Sequence, residues 1–128
     1  MKKYIGTKEV SATPAWKVDG KVYPKDGVVP RVMNREDGYK VVYEDGRESW
    51  LPKEVFEKSY KLADTYLDRM KIEFSELENK YQKLSAFLDS DKFKCLTSEK
   101  RNLLTKQYDA MQSYYLVLRQ RISLEQEE

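Results

Sequence analysis

Between residues 63 and 88 apolar side chains recur at Ala63, Leu67, Met70, Phe74, Leu77, Tyr81, Leu84 and Leu88, in alternating steps of four and three residues. That spacing is a heptad seam, the mark of a helix packed along its length on another helix. The run Asp89-Ser90-Asp91 interrupts it. Thr97 or Ser98, followed by Glu99, then supplies an N-cap and a first-turn acid for a second helix. Its seam is Leu104, Tyr108, Met111, Tyr115, Leu118 and Ile122, again in steps of four and three. Two matched seams joined by a short break predict an antiparallel helical hairpin.

The second helix carries more apolar surface than one partner covers. One position before the seam runs another stripe, Leu103, Ala110, Tyr114 and Val117. A fully buried large apolar side chain contributes about 1.5–3 kcal/mol, so leaving this stripe wet forgoes several such contributions. Either the remainder of the chain folds back over it or further copies of the chain cover it. A hairpin about 35–40 Å long, at 1.5 Å per residue, outreaches a small sheet. A homo-oligomer with grooves between hairpins is therefore expected.

Residues 1–51 read differently, holding all five glycines and three of the four prolines. Strands are expected at Tyr4–Ser11, Ala15–Val18, Lys21–Tyr23, Tyr39–Tyr43 and Glu48–Leu51. Asp19-Gly20 and Asp45-Gly46 lie between such runs and read as hairpin turns, because glycine accepts the positive φ that a tight turn needs. Residues Pro24–Gly38 read as an exposed loop, and Pro52 marks the switch to helix. The expected fold is α+β: a small N-terminal antiparallel sheet leading into helix over residues 1–60, then the long hairpin over 61–128, which would carry binding and oligomerisation.

Composition closes several functional classes. There is no histidine, so no Ser-His or Cys-His pair and no imidazole metal ligand is available. Cys95 is the sole cysteine, which fits a reducing compartment, and it reads as a buried small hydrophobe. Neither glycine-rich phosphate cradle occurs. No cofactor, metal or catalytic group is expected, and the chain reads as a binding protein, not an enzyme. The net charge of +2, with both signs interleaved, argues against a partner that is DNA or RNA. No run of 18 uncharged apolar residues suggests a membrane span. The opening Met1–Gly6 lacks an apolar signal core, so a cytoplasmic location is expected.

Candidate ligand contacts gather at the two ends of the hairpin. Phe87 and Phe93 either plug its open end or stack on a nucleobase. Asn102 is either solvated or reads a base edge or a ribose hydroxyl. Gln107 is either a polar break in the interface or a ligand contact. Arg119 and Arg121 are either partners of the helix dipole or forks onto phosphate oxygens. In the first half, Trp16 and Trp50 are core residues or stacking platforms, and Arg47 is a surface charge or a phosphate contact.

The opening Lys3-Tyr4-Ile5-Gly6-Thr7-Lys8-Glu9-Val10-Ser11-Ala12-Thr13-Pro14 resembles a start common in small prophage proteins, as do Gly38–Gly46 and Ser49–Glu57. Leu84–Ile122 resembles the helical hairpin that the first described Thoeris anti-defense family shares with the anti-CBASS cyclic nucleotide sponge. Both halves in this order resemble the Thoeris anti-defense family across nearly the whole chain. Leu51 stands where relatives often carry a serine before the proline. The resemblance implies a phage sponge in the cytoplasm of the infected bacterium. Such a sponge holds glycocyclic ADP-ribose without cleaving it, forms a hexamer, and has separate pockets for cyclic trinucleotides where hairpin ends meet. By position it makes Phe93, Asn102 and Arg119 the stacking, polar and phosphate contacts, with Arg121 and Arg47 as further ones. The competing reading is a phage protein-interaction or structural module built on a coiled-coil hairpin, in which the aromatics at the tip are plugs.

Overall fold

A computed structural model of the chain describes residues 1–31 and 34–127. The chain forms two compact units, Met1–Lys61 and Leu62–Glu128. The fold is α+β, with an antiparallel sheet followed by packed long helices.

The first unit holds β1 (Ser11–Val18), β2 (Lys21–Pro24), β3 (Glu36–Val42), β4 (Glu48–Pro52) and the short helix α1 (Lys53–Ser59). The strands lie in the order β2-β1-β3-β4, every neighbouring pair antiparallel. Asp19 (φ 48°) and Gly20 (φ 79°) make the two-residue turn between β1 and β2. At the second hairpin Gly46 (φ 87°) donates its N–H to Tyr43 O at 2.9 Å, and Tyr43 N–H bonds Arg47 O at 2.9 Å. That loop is three residues long and ends in a glycine bulge.

The strand expected at Tyr4–Ser11 is absent, and β1 begins where that strand was to end. It runs through Pro14, which lies in the gap between two expected strands. Lys25 N–H reaches Pro14 O at 2.9 Å, so Pro14 presents its carbonyl, and its hydrogen-less nitrogen, toward the β2 side. Pairing with β2 stops at Ala15↔Pro24, whereas pairing with β3 continues past Pro14 to Ser11↔Val42. The proline ends one ladder without harming the other. β3 likewise starts at Glu36, inside the expected loop, where Asp37 holds Lys25 Nζ at 2.5 Å.

The two faces of the sheet are covered separately. Val18 and Val41 are buried on one, where Phe56 of α1 stacks on Tyr39 at 4.2 Å and Tyr60 stacks on Phe56 at 5.0 Å. On the other face Ala15 is fully buried beneath Trp50, whose indole N–H donates to Ala15 O at 3.1 Å. Only glycine fits at position 38, because a Cβ there would lie 2.5 Å from the Trp50 ring. Pro52 closes β4 and caps α1 with no side-chain hydrogen bond.

The second unit is α2 (Tyr66–Leu88), the single turn α3 (Asp91–Lys94) and α4 (Ser98–Gln126). Ala63, expected to open the seam, lies outside the helix. Thr65 starts α2 by a capping box, its hydroxyl taking Asp68 N–H while the Asp68 carboxylate takes Thr65 N–H. From Leu67 onward the seam holds. Met70, Leu77 and Leu118 are buried, with Phe74, Met111, Tyr115 and Ile122 packed on them. The helices are antiparallel, since Phe74 meets Tyr115 while Tyr81 meets Tyr108. Neither helix is long and apolar enough to cross a membrane.

Candidate functional site

At the tip of the hairpin, Ser90 fixes the turn. Its Oγ donates to Phe87 O at 2.5 Å and accepts Phe93 N–H at 3.3 Å. This brings Phe87 and Phe93 together edge to face, 6.2 Å between ring centres and 80° between planes. Both rings are half-buried. Thr97 caps α4, accepting Lys100 N–H at 3.3 Å, and Asn102 lies exposed on the second turn. Cys95, expected to be buried, is exposed at this tip, where it caps the C-terminal end of the single turn α3.

Farther along, Gln107 is exposed, with its amide nitrogen 3.8 Å from Met111 Sδ. At the base, Arg119 lies over the Tyr115 ring at 5.8 Å, and Arg121 lies over the Tyr66 ring at 6.0 Å and bonds the Tyr66 hydroxyl. Asn102 and Arg119 are separated by about 25 Å at 1.5 Å per residue. One chain therefore presents tip and base residues to different places.

The remaining two candidates lie in the first unit and are engaged there. Arg47 is tied to Asp45, its N–H at 3.0 Å and its Nε at 2.7 Å from that carboxylate. The backbone N–H of Arg47, then its side chain, lower the Asp45 pKa below the usual carboxylate value. Trp50 spends its N–H on Ala15 O, and Lys17 Nζ stands 5.2 Å from its ring centre.

Between the helices runs a ladder of rings, Phe74, Tyr115, Tyr81 and Tyr108, with centres 5.0–5.5 Å apart. The Tyr81 and Tyr108 hydroxyls bond at 3.1 Å, and this bond foremost raises the Tyr81 pKa. The Tyr115 hydroxyl donates to Glu78 at 3.2 Å. Tyr114 donates to Glu73, and the carboxylate beside it raises its pKa. These bonds strap α2 to α4.

Arg101 escaped the sequence reading. It occupies the seam position three residues before Leu104, where the periodicity asks for an apolar side chain. Its Nε is buried and, among the described residues, has no hydrogen-bond partner, while one terminal nitrogen lies 3.5 Å from Ser98 Oγ. A guanidinium in the first turns of a helix also opposes the helix dipole. Running the seam one step further back would have exposed it.

The second apolar stripe is open in the single chain. Leu103 is 60%, Tyr114 45% and Val117 54% exposed. Leu124, seven residues beyond Val117, extends it.

Residues 64–124 match the Sequestin family model. The match covers the hairpin and stops short of the sheet, so it takes in Phe87, Phe93, Arg101, Asn102, Gln107, Arg119 and Arg121. No curated protein matches the chain, and no solved structure does.

Proposed function

We propose that the protein sequesters a small nucleotide signal by binding alone, and that its ligand is glycocyclic ADP-ribose, with cyclic trinucleotides held in separate pockets at the hairpin ends. The observation that carries this reading is the Sequestin match on the hairpin that bears the candidate contacts. The side chains suit the chemistry. Phe93 and Phe87 offer rings to a base, Asn102 a polar contact, and Arg119 and Arg121 forks for phosphate oxygens.

Tip and base lie too far apart in one chain to share such a ligand, so the complete site needs a second hairpin running the other way. Its base then stands beside the first one's tip. Burial of Leu103, Tyr114 and Val117 between hairpins supplies the association, and a hexamer built from such pairs encloses the ligand. Enclosure matters because sequestration works by affinity and concentration. Nanomolar capture corresponds to about −12 kcal/mol, and a preformed, largely enclosed pocket is how a ligand of this size obtains it. The site of action is the cytoplasm of a phage-infected bacterium.

The test is to load pure protein with glycocyclic ADP-ribose, remove free ligand, and heat-denature the complex. Recovery of intact ligand only after heating supports sequestration. Failure to retain ligand at micromolar protein overturns it, and recovery of a cleaved product shows catalysis instead.

A further inference from the structure

The sequence of Tyr4–Ser11 has strand character, yet the structure gives residues 4–10 no partner strand. Tyr4 is 90% and Ile5 95% exposed, and among the described residues no backbone hydrogen bond beyond the strand ladders joins the first ten residues to the rest. The same unit has an open sheet edge. Among the described residues β4 pairs with β3 alone. Tyr43 and Arg47 share a backbone bond, so along the antiparallel ladder Ser49 and Leu51 turn their backbone groups inward to β3. Glu48 and Trp50 turn theirs outward. Each edge carries one outward proline without an N–H, Pro24 of β2 and Pro52 of β4, but β4 still offers both Glu48 and Trp50, whereas β2 is four residues long and offers Val22.

We propose that the N-terminal segment of one copy of this chain adds as a strand to the outer edge of β4 in a second copy. An unpaired strand and an unpaired edge satisfy one another by main-chain hydrogen bonds. The charges agree as well. Lys2, Lys3 and Lys8 stand along the segment, and Glu44 stands at the turn before β4, beside Asp45 and Glu48, which are already paired with Arg47 and Lys40. Lys8 already helps to lower the Asp45 pKa within its own chain. The segment leaves the sheet beyond Ser11↔Val42, at the end where β1 is separated from β4 by β3. Glu9 and Val10 line one small recess with Tyr43 and Glu44 of their own chain, which leaves the residues before Lys8 to reach a second copy. This interface lies in the first unit and does not depend on the ligand reading.

Hydrogen exchange without nucleotide tests it. Deleting residues 1–8 should speed exchange of the Glu48 and Trp50 amides by about tenfold, leaving the inward-bonded Val41 and Ser49 amides unchanged as the control for folding. Adding unlabelled full-length protein to ¹⁵N-labelled truncated protein should restore the slow exchange in the labelled chain. Equal exchange in full-length and truncated protein overturns the proposal. So does protection that deletion removes but the mixture fails to restore, since the segment then acts on its own chain.

Discussion

The two units treat their polar and apolar groups in opposite ways. In the first, the side chains that the sequence offers for binding are spent internally, the Trp50 N–H on Ala15 and Arg47 on Asp45, and Lys25 is likewise held by Asp37. In the hairpin, one side of α4 packs Leu118 to zero exposure while the neighbouring stripe of Leu103, Tyr114 and Val117 stays wet in the single chain, and the Arg101 Nε has no partner among the described residues. The lesson is that aromatic and basic side chains do not by themselves mark a site. What marks one is the balance left unsatisfied after the chain has folded, and that balance lies mostly on the hairpin.

The comparison can be broken at its strongest points first. Leu118→Ala removes the best-buried side chain of the hairpin and should cost about 3–5 kcal/mol, read as earlier loss of helical circular dichroism. Gly38→Ala drives a Cβ into Trp50 and the Leu51 carbonyl. It should cost about 2–3 kcal/mol, with the tryptophan fluorescence transition moving before the helical one. If both probes move together in either variant, the units do not unfold separately. Thr65→Ala deletes the α2 cap and should cost about 1 kcal/mol, seen in the helical transition alone.

Titration gives the smallest effect, and only on its acid side does it separate the units. Asp37 and Asp45 have pKa values lowered below 3.8, by the Lys25 hydrogen bond and by the Arg47 backbone N–H respectively. Their contribution is present above that pH and is lost as pH falls toward the folded values. Acid should weaken the first unit through these two groups. Tyr81 and Tyr114 in the hairpin have pKa values raised above 10.0. Their contribution is present below that pH and is lost as pH rises through the folded values. Tyr39 in the first unit shifts the same way, chiefly by burial, so alkali should weaken both units. Tyr114→Phe should blunt the alkaline loss in the hairpin, and an unchanged profile would show that the Glu73 bond contributes nothing.

The hairpin was legible because its period is long and strict: each seam residue from Leu67 to Leu88, and from Leu104 to Ile122, lies on a helix. The turn at Asp19-Gly20 was equally plain, since few residues accept its backbone. What failed was edge logic. Pro14 lies between two expected strands, and only pairing shows that its nitrogen faces a ladder that has already ended. Ala63 fits the heptad by spacing, but the Thr65–Asp68 capping box decides where the helix begins. Cys95 looked like a core residue by type, and at the C-terminal end of α3 it lies exposed. Arg101 was hidden by its charge, because a cation at a seam position reads as the seam's end. Among the candidate contacts, Phe87 and Phe93 come together, whereas Asn102 and Arg119 stand at opposite ends of α4. No single-chain pattern could show which residues of a second copy would complete the set that the proposed function requires.

The most direct test of the claim that sister hairpins cover the open face is the mass of the native protein in dilute solution, measured by sedimentation equilibrium. The account predicts a multiple of the chain mass, reduced toward the monomer when Leu103 and Val117 are both changed to Glu. A wild-type protein that sediments as a stable monomer at micromolar concentration would contradict it.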